Sequence, residues 1–117
     1  MYIFIREDLP HAYQIVQAAH ATHQAGIRFG EVEAPLHEPY HTLQTHFVLI
    51  GAKDEKALQE IAMHLDFHQI EHEMFYEPDH DTGYTAIATK PLCGDERKAL
   101  RKFNTYKGEE NGHGNNG

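Results

Sequence analysis

The chain has 117 residues, of which 40% are hydrophobic and 24% charged, as expected for one globular domain without a second core. The formal net charge of −8 argues against a broadly basic nucleic-acid-binding surface, because phosphate binding depends on Lys and Arg. A lone cysteine, Cys93, excludes an internal disulfide, and the lack of a signal-peptide pattern or long apolar run predicts a cytoplasmic protein without membrane attachment. The sequence contains no serine, which excludes a serine triad, and nothing beside Cys93 supports a covalent route through it.

The first predicted elements are a strand over 2–6 and a helix over 10–27. Apolar residues fill both faces of the strand, which is typical of a central strand covered on two sides. Asp8 is predicted to cap the helix N-terminus, with Pro10 in the first turn. The buried stripe of the helix is predicted from apolar residues spaced three and four apart, namely Ala12, Ile15, Val16 and Ala19.

A polar stripe is predicted next to this apolar one. Gln17, His20 and Gln24 are three and four residues apart, so they are neighbours on a helix surface. We therefore expect Gln17 and His20 to act together. A hydrogen-bonded core histidine is the alternative interpretation of His20.

The rest of the chain alternates strands with helices. Further strands are predicted over 43–50, 68–76 and 84–90, and further helices over 54–66 and 95–102. This order predicts an α/β fold, a three-layer α/β/α single domain over 1–106 with a mixed, mostly four-stranded sheet. The segment 30–40 is predicted to be a surface loop and 107–117 a disordered polar tail.

Eleven histidines raise the hypothesis of a metal-binding protein. Several have spacings that would converge on a helix, namely His20 with His23, His37 with His41, and His64 with His68 and His72. The alternation of residues 68–76 favours a strand there, and no His-Glu-x-x-His or Cys-x-x-Cys motif occurs. No metal is therefore assigned, and the missing Gly-x-Gly-x-x-Gly and P-loop motifs predict no nucleotide cofactor.

Two segments near the N-terminus, Arg6-Glu7-Asp8-Leu9 and Val16-Gln17-Ala18-Ala19-His20-Ala21, match a pattern known from one enzyme family. They resemble the Arg-x-Asp-Leu and Ala-Gln-x-Ala-His-Ala motifs of the second, archaeal and eukaryotic type of peptidyl-tRNA hydrolase and its shorter bacterial and phage relatives. The resemblance continues in the same order through about residue 104, including the acidic loop that follows the strand 68–76.

The resemblance implies that water hydrolyses the ester between a peptide and its tRNA, with no cofactor. It implies a catalytic set of Gln17, His20, Glu77, Asp79 and Thr85. Substrate binding is assigned to Arg6, Asp8, Thr82, Arg97, Arg101 and Lys102. Many relatives are dimers, so a homodimer is also possible.

The basic residues Arg97, Lys98, Arg101 and Lys102 are the most concentrated in the chain, and their i, i+4 spacing predicts one face of a helix. That face is either a phosphate platform or simply a solvated surface.

The turn before Gln17 departs from the family. Relatives have a Lys-Met-Gly-Lys-Gly-Lys turn there, whereas this chain has the shorter, lysine-free segment 10–16. We therefore expect any activity on full-length tRNA to be weaker than that of lysine-bearing relatives. The alternative is an inactive binding module of the same fold, with a protein, nucleotide or RNA-end ligand; a histidine-rich metal-binding protein is the third class.

Overall fold

The computed structural model describes residues 1–30, 36–37, 39, 42–43 and 46–108. Its elements in chain order are β1 (Tyr2–Arg6), α1 (His11–Phe29), β2 (Leu36–His37), β3 (Thr42–Leu43), β4 (Val48–Ala52), α2 (Glu55–Phe67), β5 (His72–Glu77) and β6 (Gly83–Thr89). Two short 3-10 segments, Asp79–Asp81 and Gly94–Leu100, flank β6.

A four-stranded mixed sheet in the order β4-β1-β6-β5 forms the centre of the fold. β1 is parallel to β4 and antiparallel to β6, and β6 is antiparallel to β5. Ile3 and Ile5 of β1 pack towards α1, whereas Phe4 packs towards α2. The three-layer α/β/α architecture and the central position of β1 are therefore confirmed.

Several predicted boundaries were wrong. The strand expected over 43–50 is β4 at Val48–Ala52, and the short β3 at Thr42–Leu43 precedes it; residues 44 and 45 of the expected strand lie outside the described residues. The strand expected from residue 68 begins at His72, because α2 continues to Phe67 and Gln69 then takes a left-handed φ of 57°. The helix expected over 95–102 is a 3-10 segment. Part of the expected loop 30–40 forms β2, which pairs with β3.

The predicted buried face of α1 was also wrong. The apolar stripe from Ala12 to Ala19 faces solvent, and Ile15 is 66% exposed. The opposite face is buried and carries Gln14, Gln17, Ala21 and Ala25. The prediction failed because it treated hydrophobicity as the only reason for burial; small alanines allow α1 to lie close to the sheet, and both glutamines find hydrogen-bond partners there.

Some expectations lie outside the described residues. These are the loop residues 31–35, 38 and 40–41, which include His41, and the tail residues 109–117. Within the described ranges, no helix is long and apolar enough to cross a membrane.

The orientation of α1 can be tested with one substitution made on each face. Ala21→Leu inserts a larger side chain against the sheet and should destabilise the protein by about 1–3 kcal/mol. Ala19→Leu, on the exposed face of the same helix, should change the free energy of unfolding by less than about 0.5 kcal/mol. Urea denaturation measures both, and a larger loss for Ala19→Leu would contradict this orientation.

Candidate active site

A buried glutamine side chain lies between α1 and the sheet. Gln17 is 1% exposed. Its Nε2 donates to Glu77 Oε1 at 3.1 Å, and its Oε1 accepts a hydrogen bond from Thr85 Oγ1 at 2.6 Å. The hydroxyl and the carboxylate together fix the orientation of the amide, so that its N–H groups are directed to the carboxylate.

A β-bulge directs Thr85 towards α1. The register between β5 and β6 shifts at Phe75 and Tyr76, so that Phe75 pairs with Ala86 while Tyr76 pairs with Tyr84. Ala86 packs on the α1 side, and regular alternation would place Thr85 on the α2 side. The bulge instead allows both residues to face α1, and this brings the Thr85 hydroxyl to Gln17.

The acidic loop between β5 and β6 has an unusual backbone. His80 and Asp81 have φ values of 57° and 54°, in the left-handed region that most side chains disfavour. Thr82 Oγ1 donates to Asp79 O at 2.6 Å and closes the loop. Asp79 N donates to Glu77 Oε2 at 3.3 Å, so the Glu77 carboxylate receives one hydrogen bond from the loop and one from Gln17.

Asp8 does not cap α1, contrary to expectation. The residue at the cap position is Pro10, and no side chain accepts a hydrogen bond there. Asp8 instead accepts two hydrogen bonds from Arg6, from Nε at 2.9 Å and from Nη2 at 3.0 Å. Arg6 Nη1 donates to the carbonyls of Thr82 and Tyr84. Asp8 pairs with Arg6 rather than with the helix because two charge-assisted hydrogen bonds stabilise its carboxylate better than one backbone N–H would.

His20 and Gln17 do not share partners, although they are one helical turn apart. The His20 ring is exposed and stacks on Phe75, with centroids 4.6 Å apart and an interplanar angle of 7°. In the described part of the chain no hydrogen bond joins His20 to Gln17, Glu77 or Asp79. His20 therefore lies on the rim over β5, while Gln17 lies beneath it.

The four residues of the predicted basic face do not stand on an α-helix. Three residues complete each turn of the 3-10 segment Gly94–Leu100, so the predicted i, i+4 pairs do not line up. Arg97 lies near the amino terminus of the chain. The pKa of that terminal amino group is lowered, first by burial and then by the charge of Arg97. Lys98 pairs with Asp95, whereas Lys102 lies above Phe103 and lines an open cleft with Lys53. Arg97 is thus at the end of β1 opposite to Arg6.

Among the residues that the structure describes, no three His, Cys, Asp or Glu side chains are placed to hold one metal ion. His64 and His68 instead meet edge to face, and His64 also contacts the ring of Phe103 edge to face.

Comparison with known proteins decides the family. A family sequence profile described as Peptidyl-tRNA hydrolase PTH2 matches residues 1–101. The chain belongs to this family. A search of curated proteins gave no significant match. The PTH2 match includes the whole sheet, the acidic loop and the buried glutamine.

A tyrosine beyond the PTH2 match holds the N-terminal turn of α1. Tyr106 OH donates to Gln14 Oε1 at 2.7 Å, and Gln14 Nε2 donates to the carbonyls of Glu7 and Leu9. Tyr106 N also donates to Leu49 O at 2.7 Å, which fixes the C-terminal segment on the β4 edge. The pKa of Tyr106 is raised, first by burial and then by the charge of Glu7.

Sequence reasoning missed Gln14, Tyr106 and one acidic residue, Glu55. Gln14 could have been predicted from the helical period of α1, since it is three residues before Gln17 on the buried face. Glu55 Oε2 accepts a hydrogen bond from Tyr84 N at 2.8 Å, a contact between residues 29 positions apart. No local pattern signals such a contact.

The contact between Thr85 and Gln17 can be tested by removing only the hydroxyl. Thr85→Val leaves the buried Gln17 oxygen without its donor and should destabilise the protein by about 1–3 kcal/mol. Thr85→Ser keeps the hydroxyl and should lose only about 0.8 kcal/mol for the missing methyl group. Urea denaturation compares the two, and equal losses would show that the hydroxyl contributes nothing.

Proposed function

We propose that this chain is a peptidyl-tRNA hydrolase in which water attacks the ester between the peptide and the tRNA. The observation that carries the proposal is the hydrogen-bonded series from Thr85 through Gln17 to Glu77, within the part of the chain that matches the family. This series holds a half-buried carboxylate in one orientation beside a solvent-exposed rim. An ester hydrolase that uses water needs such a fixed base.

Glu77 is the proposed general base. One of its oxygens accepts from Gln17 and the other from Asp79 N, and each carboxylate oxygen has a second lone pair that can accept a proton from water. The exposed residues of the acidic loop carry the candidate backbone N–H donors to the developing oxyanion, since the Gln17 amide is buried. Asp79 and Thr82 then shape the loop rather than transfer protons.

His20 is proposed to contact the substrate from the rim. Its ring is exposed and lies flat on Phe75, a geometry that fixes the ring plane. As an exposed ring at the rim, it is proposed to hold a ribose hydroxyl or donate to the leaving oxygen. Arg6 and Asp8 are proposed to position the acidic loop, because their polar groups are already engaged with each other and with backbone carbonyls.

The proposed substrate contacts for the tRNA are few. Arg101 and Lys102 are exposed at the end of the 3-10 segment, and the α1 turn that carries lysines in relatives has none here. Each missing phosphate contact weakens binding and reduces its salt dependence. We therefore propose a cytoplasmic enzyme with low affinity for tRNA. The inactive binding module remains the alternative, and it predicts binding without turnover.

The catalytic role of Glu77 can be tested by removing its charge. Glu77→Gln keeps the size of the side chain but not the basicity, and it should reduce kcat on a defined peptidyl-tRNA by at least about 100-fold. Asp81→Asn is the matched control, since it removes one charge from the same loop at an exposed residue. The control should keep wild-type kcat. Absence of turnover by the wild-type chain at any concentration would reject the enzyme and favour the binding module.

Substitutions of His20 and Arg101 should affect catalysis and tRNA binding separately. His20→Ala should abolish turnover with little change in tRNA affinity, because it removes a rim group and no phosphate contact. Arg101→Ala should weaken tRNA binding and reduce the slope of log K against log salt by about 1, without changing single-turnover kcat. His23→Ala, also exposed and three residues after His20, is the control. Full turnover by His20→Ala would make His20 structural only.

A further inference from the structure

An acidic residue on the far side of the sheet contacts the start of β6. Glu55 is the first residue of α2, which packs on the sheet face opposite to α1. Its Oε2 accepts from Tyr84 N at 2.8 Å. A Cβ atom at Gly83 would lie 2.2 Å from the same oxygen, and Gly83 has a φ of +83°. The carboxylate therefore fits against β6 only because residue 83 is glycine.

Arg6 completes the contacts to this segment. Its Nη1 donates to Thr82 O at 2.6 Å and to Tyr84 O at 3.1 Å. The pKa of Arg6 is raised, mainly by the hydrogen bond to Asp8 and with a contribution from the charge of Glu55. A guanidinium thus binds the carbonyls of this segment while a carboxylate binds its N–H group. We call Arg6 and Glu55 the β6 clamp.

The next residue after the β6 clamp is Thr85. Its hydroxyl must face α1 for the 2.6 Å hydrogen bond to Gln17, and the β-bulge provides that direction. A shift of the Tyr84 backbone would move the hydroxyl directly, because the two residues share a peptide bond. Contacts consequently run from Glu55 to Tyr84, across the sheet through Thr85 to Gln17, and then to Glu77.

We propose that Glu55 is a positioning residue for the candidate active site and acts on it through the backbone of Tyr84. The inference rests on the proposed hydrolase function for its kinetic test, but its structural part stands independently. The positioning requires a hydrogen-bond acceptor at the end of a side chain as long as that of glutamate. Charge alone does not supply this effect.

Two substitutions separate reach from charge. Glu55→Asp keeps the charge but shortens the side chain by about 1.5 Å, so that it loses contact with Tyr84 N. It should reduce single-turnover kcat about 10- to 100-fold, since small misplacements at a site have effects of this size, with KM changed less than about threefold. Glu55→Gln keeps both reach and acceptor, and it should stay within about threefold of wild-type kcat. Glu60→Asp, an exposed residue of the same helix, is the control.

A second measurement is independent of turnover. The side-chain amide resonances of Gln17 should shift in Glu55→Asp and stay unchanged in Glu55→Gln and Glu60→Asp, in NMR spectra of the full chain. If the wild-type chain proves inactive, the proposed function fails while this shift still supports the positioning role. Wild-type kcat in Glu55→Asp, unmoved Gln17 resonances in it, or equal losses in Glu55→Asp and Glu55→Gln would overturn the proposal.

Discussion

The burial of the Gln17 amide is the constraint on which the candidate site depends. A carboxamide has two N–H donors and an oxygen with two lone pairs, and leaving one of them unpaired inside a protein costs about 1–3 kcal/mol. Thr85 and Glu77 supply partners on either side. Those partners reach Gln17 only if α1 lies close to the sheet, and the alanines on its buried face, Ala21 and Ala25, allow that approach. The β-bulge is the second requirement, because it turns Thr85 to this face.

The two ends of α1 are fixed by polar side chains rather than by a large apolar core. Gln14 ties the N-terminal turn to the carbonyls before it and to Tyr106. Near the other end, Gln24 and Arg28 both bind Glu73 on β5. Burial opposes the charge of Glu73, but these two partners outweigh it and lower its pKa. The helix is therefore held in register with β5, the strand that leads into the acidic loop.

Separate parts of the chain would then serve chemistry and tRNA binding. The site residues are held by contacts inside the matched domain, and none of these contacts uses a lysine. Residues 10–16 contain no lysine, and Pro10 and His11 lead directly into α1. On this account, the lack of lysine in this segment affects phosphate binding and leaves the arrangement of Gln17, Thr85 and Glu77 intact.

The sequence predicted the layers better than the details of the site. β1 was correctly expected to be central because both of its faces are apolar, a local property. The buried face of α1 was predicted wrongly, since Gln14 and Gln17 look like surface residues until their partners are known. The direction of Thr85 depends on a register shift between two strands, and the contact of Glu55 depends on packing across a sheet. Pairing and packing of this kind are absent from local sequence patterns.

The most direct test of this account is a single-turnover hydrolysis in water enriched in oxygen-18, with enzyme in excess over a defined peptidyl-tRNA. If Glu77 is a base that activates water, one labelled oxygen enters the carboxylate of the released peptide, and the protein and the ribose hydroxyl remain unlabelled. If Glu77 were instead a nucleophile, it would form an acyl anhydride with the peptide and release the ribose hydroxyl. Attack of water at the Glu77 carbonyl of that anhydride would then place the label in the Glu77 side chain and leave an unlabelled oxygen from Glu77 on the peptide. Label at Glu77 would contradict the account, as would a released peptide without label.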